Sequence, residues 1–154
     1  MPFADFIGTW EGEGVGGYPT LDADFPFRER IVIADYGKPV LQFSSESWSV
    51  DDGRPLARQS GFWRPTSATE LEVVLVVASG FAEILYGGLV SGPAGVHVEL
   101  ATDVVARTVT AKEVTAERRM YAVRAGKLMY AVDMAAVGHE LAPHLSAALD
   151  RVSG

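Results

Sequence analysis

The stretch GTWEGEGVGGYPT, residues 8–20, places glycine at nearly every second position between a tryptophan and a tyrosine. Side chains alternate between the two faces of an extended strand. One face of this strand then carries Trp10, Gly12, Gly14, Gly16 and Tyr18. Glycine weakens a strand, so its repetition on one face is typical of a sharp bend or of a close approach by another backbone or a ligand. The stretch predicts a sharply bent strand of a β-barrel.

The rest of the chain continues the strand pattern. Short apolar or alternating runs follow one another at spacings of about 8 to 12 residues, which favours an all-β sandwich or barrel. Turn-forming residues separate the runs at 36–39, 51–53, 79–80, 92–95 and 125–127. These connections are too short for helical crossovers, so neighbouring strands are expected to be antiparallel. For residues 1–154 we predict one domain, a single antiparallel up-and-down β-barrel of about ten strands with a short helical turn.

Three segments carry more specific expectations. Both faces of ELEVVLVVA, residues 70–78, become apolar after Glu72, as expected of a strand with a core on one side and a loop, a ligand or a partner subunit on the other. The segment RTVTAKEVT, residues 107–115, is interpreted as a further strand. Near the end, Pro143 interrupts a helical composition, so we expect a short turn or helical piece at 138–142 and then a closing strand.

Composition limits the function classes. Twenty acidic and thirteen basic residues give a formal charge of −7, which repels phosphate backbones and anionic membranes. We therefore expect no nucleic-acid partner and no membrane association. The chain has no apolar run long enough to span a bilayer and no signal peptide at its start, so a soluble, cytoplasmic protein is expected. Cysteine is absent, which excludes disulfides, thiol catalysis and thiolate metal sites.

Histidine is the first candidate for chemistry. The chain has three histidines: His97, His139 and His144. The first two are interpreted as solvent-exposed residues of a strand end and a loop. If HLSAALDRV, residues 144–152, forms the closing strand, His144 shares a face with Ser146 and Ala148. Such small neighbours leave room for a flat ligand. No spacing or motif indicates a zinc site or a Ser-His-Asp triad.

Acidic side chains are the second candidates. Five glutamates lie in or near the predicted strands: Glu11, Glu13, Glu29, Glu46 and Glu83. Acid–base catalysis needs two groups held within reach of one reacting bond. Nothing in the spacing of these glutamates brings two of them together, so we interpret them as solvated strand faces.

The opening motif resembles the GxWxGxGxGxYPT motif of the nitrobindin family, small haem-binding β-barrels similar in shape to lipocalins and fatty-acid-binding proteins. Further blocks resemble the same family in order along the chain: YGKPVLQFSSESW, SGFWRP, SGFAEILYG, TAKEV, ERRMYAVRAGKLMYAVDMAAVG and HLSAALDRV. The resemblance covers nearly the whole chain, and it implies a barrel that holds one ferric haem b.

The resemblance implies a role for three residues. The histidine of the closing HL pair is the proximal haem ligand of the family, and here it is His144. Thr20, in YPT, is similar to a position that touches the haem, and Lys127, in the GKL turn, resembles another. A lysine there suits a haem propionate. The implied ligands are nitric oxide and peroxynitrite, and the implied activity is the isomerisation of peroxynitrite to nitrate.

One departure from the family pattern lies before the GF pair. Many nitrobindins carry a histidine in this block, and the corresponding position here is Ala57, so a polar contact to the ligand is expected to be missing. Two alternatives remain open. One is a barrel of the fatty-acid-binding type that carries an apolar small molecule without haem. The other is a dimeric interaction protein with a vestigial cavity, suggested by the doubly apolar residues 70–78; a homodimer is also compatible with haem binding.

Overall fold

The computed structural model describes residues 3–154 as a closed barrel of ten antiparallel strands. The strands are β1 (Gly8–Gly16), β2 (Phe25–Asp35), β3 (Leu41–Ser49), β4 (Pro55–Pro65), β5 (Glu70–Val77), β6 (Phe81–Gly92), β7 (Gly95–Arg107), β8 (Val114–Arg124), β9 (Lys127–Ala136) and β10 (Ala142–Ser153). Each strand pairs with its neighbours in the sequence, and β1 pairs with β10 to close the barrel. The predicted up-and-down barrel is confirmed.

Short turns connect most strands at the positions that the sequence indicates. Glycines with positive φ complete several of them, such as Gly53 between β3 and β4 (φ 74°) and Gly126 between β8 and β9 (φ 77°). These angles fall in the left-handed region, which glycine adopts without steric strain. The tight turns keep strands that are consecutive in the sequence adjacent in the barrel.

The segment 107–115 does not form the separate strand that its composition predicts. Strand β7 ends at Arg107 and β8 begins at Val114, and a loop connects them. The two strands pair only between 98–101 and 118–121, so they separate toward this loop. With no partner strand beside it, the loop cannot complete a β-ladder.

The helical element also differs in place from the prediction. Residues Ala4–Phe6 form a 3₁₀ helix before β1. At 138–142, the turn rather than the helical piece is present, with Gly138 at φ 82°. Because β10 begins at Ala142, only a few residues separate β9 from β10, too few for a packed helix.

The barrel has a closed end, where β1 begins, and an open end, where β1 stops. Phe6 of the 3₁₀ helix covers the closed end, and its ring packs on Trp63 with centroids 5.4 Å apart. Trp10 is fully buried and donates from Nε1 to the Phe6 carbonyl oxygen over 3.0 Å. The guanidinium carbon of Arg151 lies 4.2 Å from the centroid of the Trp10 ring. Aromatic side chains therefore fill this end.

The glycines of β1 allow the first strand to pack closely on its surroundings. A Cβ at Gly14 would lie 2.5 Å from the Ser146 carbonyl oxygen and 2.6 Å from the Phe27 ring. A Cβ at Gly16 would overlap the ring of Phe25. The close approach expected from the opening motif is therefore made by β10 and by two phenylalanine rings.

Strand β5 has apolar side chains on both faces, as predicted. Leu71, Val73 and Leu75 are buried in the core, whereas Val74 and Val76 on the outer face are 40% and 56% exposed. The outer face of β5 is thus uncovered in a single chain. Within residues 3–154, no helix has the length and apolar character needed to cross a membrane.

Candidate functional site

A cavity of about 770 Å³ occupies the open end of the barrel. Its apolar lining includes Phe25, Phe27, Phe43, Phe81, Val114, Met134 and Leu145. Its polar lining includes Glu29, Ser45, Gln59, Lys112, Glu117, Arg119, Tyr121, Tyr130 and His144. A largely apolar cavity of this size with a few convergent polar groups is typical of a small-molecule or cofactor site.

His144 enters this cavity because a β-bulge interrupts β10. In the pairing of β10 with β9, Pro143 faces Asp133 and Leu145 faces Val132, so His144 has no partner. A bulge adds one residue to a strand and re-aims the side chain at that point. Consequently His144 and Leu145 both line the cavity, although adjacent residues of a regular strand point to opposite faces.

The bulge shows that the predicted face of the closing strand is wrong. Ser146 and Ala148, which were expected beside His144, are exposed, while Ala147 and Leu149 are turned inward. The prediction assumed an unbroken alternation from His144 onward, and the bulge shifts that alternation by one residue. The space beside the histidine comes from the cavity and not from small neighbours on its strand.

The backbone of Gly17 fixes the imidazole ring of His144. Nδ1 lies 3.0 Å from the Gly17 carbonyl oxygen, and the Gly17 N–H donates to the His144 carbonyl oxygen over 2.8 Å. Because a carbonyl oxygen only accepts, Nδ1 carries the proton and Nε2 keeps its lone pair. Burial lowers the pKa of His144, so the ring is neutral at pH 7. A neutral imidazole with a free Nε2 can bind a metal.

Tyr18, from the opening motif, supports the position of His144. The Tyr18 hydroxyl donates to the Met134 carbonyl oxygen and accepts from the Ala136 N–H, each over 2.9 Å. The His144 ring meets the Tyr18 ring edge-on with centroids 5.7 Å apart, and the exposed His139 ring does the same at 5.8 Å. Tyr18 therefore connects the end of β1 to β9 and to the histidine.

Lys112 brings a positive charge to the mouth of the cavity. It lies in the loop between β7 and β8, and its Nζ is 5.5 Å from the centroid of the Tyr18 ring. Partial burial lowers the pKa of Lys112. Its charge also contributes, after burial, to the lowered pKa of His144. A cation beside the histidine suits an anionic group on a ligand.

The three residues that the family resemblance implies do not lie together. Thr20 is in the turn after β1, at the same end as His144, but it is exposed and does not line the cavity. Lys127 begins β9 at the closed end, where its Nζ pairs with an Asp150 oxygen at 2.6 Å. Along β10, Asp150 is about 20 Å from His144 at the rise of an extended strand. The lysine that reaches the cavity is Lys112.

The other sequence candidates are also placed by the fold. His97 lies on β7 toward the closed end, with Nε2 3.2 Å from a Glu99 carboxylate oxygen, and is partly exposed. His139 is exposed in the turn before β10, as expected. Ala57, the position at which the family resemblance implies a missing histidine, lines the cavity.

A cluster around Arg119, formed with Glu83, Glu117, Gln59 and Tyr121, lies in and behind the cavity wall. Arg119 donates to the Glu117 carboxylate over 2.7 and 3.0 Å, to the Gln59 amide oxygen over 3.0 Å and to the Tyr121 hydroxyl over 3.1 Å. Burial acts to raise the pKa of Glu117, but the Arg119 charge and its hydrogen bonds lower that pKa overall. Glu117 is therefore held as a carboxylate.

Glu83 joins this cluster from β6. Its Oε1 accepts from the Thr102 hydroxyl over 2.8 Å, while Oε2 is buried without a hydrogen-bond partner, 3.7 Å from Nη2 of Arg119. Burial and the neighbouring Glu117 carboxylate raise the pKa of Glu83 to about 8. The cluster thus joins one buried guanidinium to two buried carboxyl groups.

Glu29 is a further buried carboxyl group in the cavity wall. It accepts hydrogen bonds from the hydroxyls of Ser45 and Tyr130. Burial raises the pKa of Glu29 in spite of these bonds. The side chain belongs to the polar part of the cavity lining.

The interpretation of Glu29 and Glu83 as solvated strand faces is wrong, since the two are 6% and 2% exposed. The strand alternation contained the necessary signal. Glu29 shares its face with apolar neighbours two positions away on β2, and Glu83 shares its face with Phe81 and Leu85 on β6. Lys112 had no comparable signal, because its loop was interpreted as a strand.

Comparisons with known proteins identify the family. The model of the THAP4-like, haem-binding β-barrel domain matches residues 1–151. A peroxynitrite isomerase of Salinispora tropica is 44% identical over 97% of this chain and 78% of its own length. A ferric nitrobindin-like protein of Kineococcus radiotolerans is 38% identical over 99% and 93%. The crystal structure of Rv2717c from M. tuberculosis has a TM-score of 0.88 and 36% identity, covering 96% of this chain and 93% of that one. The chain therefore belongs to the THAP4-like family of haem-binding β-barrels, and its resemblance to the nitrobindins is confirmed.

Proposed function

We propose that the chain binds one ferric haem b at the open end of the barrel, with His144 as the axial ligand, and isomerises peroxynitrite to nitrate. The observation that carries the proposal is the His144 ring, which lines the cavity, is neutral at pH 7 and is held through Nδ1 so that Nε2 stays free. The reaction is supported by the name of the Salinispora tropica relative, a peroxynitrite isomerase.

The residues of the cavity fit a haem. A volume of about 770 Å³ is within the range of cofactor sites, and aromatic and aliphatic side chains form much of its wall. Among the described residues that line the cavity, His144 is the only imidazole, and the chain has no cysteine. Lys112 supplies a cation at the mouth for a carboxylate group of the haem.

The haem and the protein residues would make different contributions to the reaction. When bound, ferric haem would supply a Lewis-acidic iron that can take a small ligand, and His144 would hold that iron. Gly17 holds the imidazole in the tautomer that presents Nε2, and such partners of a metal-binding histidine tune its strength as a ligand. Conversion of peroxynitrite to nitrate moves an oxygen within one anion and needs no second substrate. The chain therefore has to hold the haem, limit water and admit a small anion.

The other residues of the proposal follow from their positions. Thr20 stays a proposed haem contact, because it lies at the open end of the barrel in the turn that follows Tyr18. We propose Lys112 for the propionate contact first expected of Lys127, because Lys112 lines the cavity. Ala57 contributes only a methyl group to the cavity, so the ligand receives no hydrogen bond from this side chain. Nitric oxide, as a small neutral ligand, belongs to the same proposal.

The experiment is reconstitution with hemin, followed by absorption spectroscopy. The wild-type chain is expected to show a ferric Soret band, and His144→Ala is expected to lose or shift that band. Hemin affinity should fall by more than about tenfold, since loss of a supporting partner alone often has that effect on a metal site. His139→Ala is the matched control, because His139 also packs edge-on against the Tyr18 ring but is exposed and does not line the cavity.

Several outcomes would contradict the proposal. Identical hemin spectra for wild type and His144→Ala would reject the ligand assignment. Failure of the wild-type chain to bind hemin, together with tight uptake of a fluorescent fatty acid, would favour a carrier without haem. Rapid-mixing measurements of nitrate yield then test the reaction, and a haem-loaded chain that leaves the decay of peroxynitrite unchanged would reject the isomerase.

We also propose that the protein is cytoplasmic. We further propose that two copies of the chain form a homodimer through the outer face of β5. The support for the dimer is the exposure of Val74 and Val76 beside Phe62 on the neighbouring strand β4. Sedimentation velocity tests it directly. Val76→Glu is expected to give a monomer where the wild-type chain gives a dimer, and a monomeric wild type would reject this pairing.

A further inference from the structure

The Arg119 cluster contains two acidic side chains, Glu83 and Glu117, and one basic side chain. Glu117 receives two hydrogen bonds from Arg119, whereas Oε2 of Glu83 receives none and is 3.7 Å from the guanidinium. The Glu83 side chain is 0% exposed. A buried carboxylate oxygen without a donor loses its hydration with no compensation. A proton on this oxygen turns it into a donor and removes one buried charge.

We propose that Glu83 carries a proton beside the ionised Glu117 in the folded protein at neutral pH, and that this proton sets the charge of the cavity wall and so determines how well the cavity accepts anions. Glu83 is then a specificity-determining residue that acts through Glu117 and Arg119. The first half of the proposal is independent of the proposed function. The second half rests on it, because peroxynitrite is an anion.

The surroundings of Glu83 identify the groups that control its ionisation. Leu75 faces it from β5, Thr102 donates to it from β7, and Glu117 and Arg119 approach it from β8. The two charged neighbours have opposite effects, and Arg119 is already engaged by Glu117. The raised pKa of Glu83, about 8, agrees with this geometry and has burial as its main cause.

The proton matters for binding because the cluster is part of the cavity. Lys112, Glu117 and Arg119 line the cavity, and Glu83 stands behind the last two. With Glu83 protonated, the charges of Glu117 and Arg119 cancel, and Lys112 leaves a positive excess. The two other charged lining residues, Glu46 and Arg58, form an ion pair and add no net charge. Ionisation of Glu83 removes that excess. Glu29 and His144 also face the cavity, and burial favours the neutral form of each.

Infrared difference spectroscopy tests the position of the proton. The wild-type chain at pH 7 should show the carbonyl stretch of a protonated carboxyl group, and part of this band should disappear as the pH rises past about 8. Glu83→Gln should lack the part of the band that disappears near pH 8, because glutamine replaces the protonated acid with a neutral group of the same shape, while the part from the buried Glu29 carboxyl group remains. Glu46→Gln is the matched control, since Glu46 is an accessible carboxylate paired with Arg58.

The pH dependence of unfolding is an independent test. The folded chain keeps the proton up to about pH 8, while the unfolded chain releases it near the ordinary glutamate pKa of 4.5. Between these values the folded state binds more protons, so wild-type stability falls as the pH rises. Relative to Glu83→Gln, the wild-type unfolding constant should rise by up to about tenfold per pH unit in this window. Urea titrations of both proteins measure the difference.

A pair of fluorescent probes tests the anion preference without haem. The full chain is titrated with anilinonaphthalene sulfonate, an anion, and with the neutral phenylnaphthylamine, at pH 7 and pH 9. In wild type, the affinity ratio of anion to neutral probe should fall about tenfold, the effect of one charge at about 10 Å with an effective dielectric constant of about 20. Glu83→Gln should show no such fall, and Lys112→Met should still show it.

The outcomes separate the parts of the proposal. If the part of the band that disappears near pH 8 is lost in Glu29→Gln and kept in Glu83→Gln, the titrating proton is on Glu29 and the proposal is overturned. Loss of the pH-dependent probe ratio in Lys112→Met would assign the charge change to the lysine and reject the role of Glu83. These measurements use no hemin, so their failure is distinct from a failure of the His144 spectral test.

Discussion

The closed and open ends of the barrel are made from the same strands but are filled differently. At the closed end, Phe6, Trp10 and Trp63 are buried and pack on one another around the start of β1. At the open end, the inward-facing rows continue with polar groups such as Glu29 and Arg119 and leave a cavity of about 770 Å³. The closed end is therefore a packed core, and the open end is a cavity.

This difference shows how the fold separates stability from binding. Alternation along a strand decides only whether a side chain points inward. The size and polarity of the inward side chains then decide whether they fill the barrel or leave room. Close packing at the closed end stabilises the barrel, and the open end can keep buried ionisable groups and unfilled volume. Matched residues at the two ends should therefore respond differently to the same substitution.

The largest difference between the two ends is expected when a tryptophan at each end is replaced by alanine. Trp10→Ala removes a fully buried side chain at the closed end and should lower the free energy of unfolding by about 3–5 kcal/mol. Trp48 is partly exposed and lines the cavity, so Trp48→Ala should lower it by only about 1 kcal/mol and should instead weaken hemin binding. Urea denaturation and hemin titration measure the two effects. Equal destabilisation by both changes would show that the ends are not distinct.

An intermediate contrast is expected between two glycines of β1. Gly14→Ala places a Cβ 2.5 Å from the Ser146 carbonyl oxygen and 2.7 Å from the Ala147 Cβ, and should destabilise the barrel by about 1–3 kcal/mol. At Gly12, the nearest atom to a new Cβ is 3.0 Å away. Gly12→Ala should change stability by less than about 1 kcal/mol, because lower entropy of the unfolded chain offsets mild crowding. Thermal unfolding compares the pair, and a stable Gly14→Ala variant would contradict the close contact with β10.

The smallest contrast is expected between two lysines. Lys127 forms an exposed ion pair with Asp150 at the closed end, so Lys127→Ala should change the unfolding free energy by less than about 1 kcal/mol and leave hemin affinity unchanged. Lys112→Ala should have a similarly small effect on stability but should weaken hemin binding by about two- to fivefold. Hemin titrations of the two variants are sufficient. A weaker affinity for Lys127→Ala alone would restore the original assignment of the propionate contact.

Much of the architecture could be predicted because it depends on local chemistry. The turn residues at 51–53 and 125–127 adopt backbone angles that glycine favours, and they join strands where expected. The alternation of β1 places Trp10 on the buried face, and Tyr18, two residues beyond the end of β1, is buried as well. The loop at 108–113 was missed because its composition resembles a strand, and only the limited pairing of β7 with β8 leaves it without a partner.

Less of the candidate site could be predicted from the sequence. His144 was identified through the family motif, but its expected neighbours Ser146 and Ala148 face outward because a bulge changes the alternation. A bulge appears in a sequence as one ordinary residue. In the sequence, Lys112 and Lys127 are equivalent candidates for a contact with an anionic group of the ligand. Only the strand order shows that the two lysines lie at opposite ends of the barrel.

An antiparallel barrel of the THAP4-like family follows from the amino-acid sequence alone. Side-chain alternation, glycine turns and the opening motif each involve only a few neighbouring residues. The tertiary structure alone decided that Glu83, Glu117 and Arg119, from two different strands, share one buried cluster, and that His144 turns into the cavity. Ionisation and ligand geometry depend on burial and on distances between residues remote in the chain, which become defined only when the barrel closes.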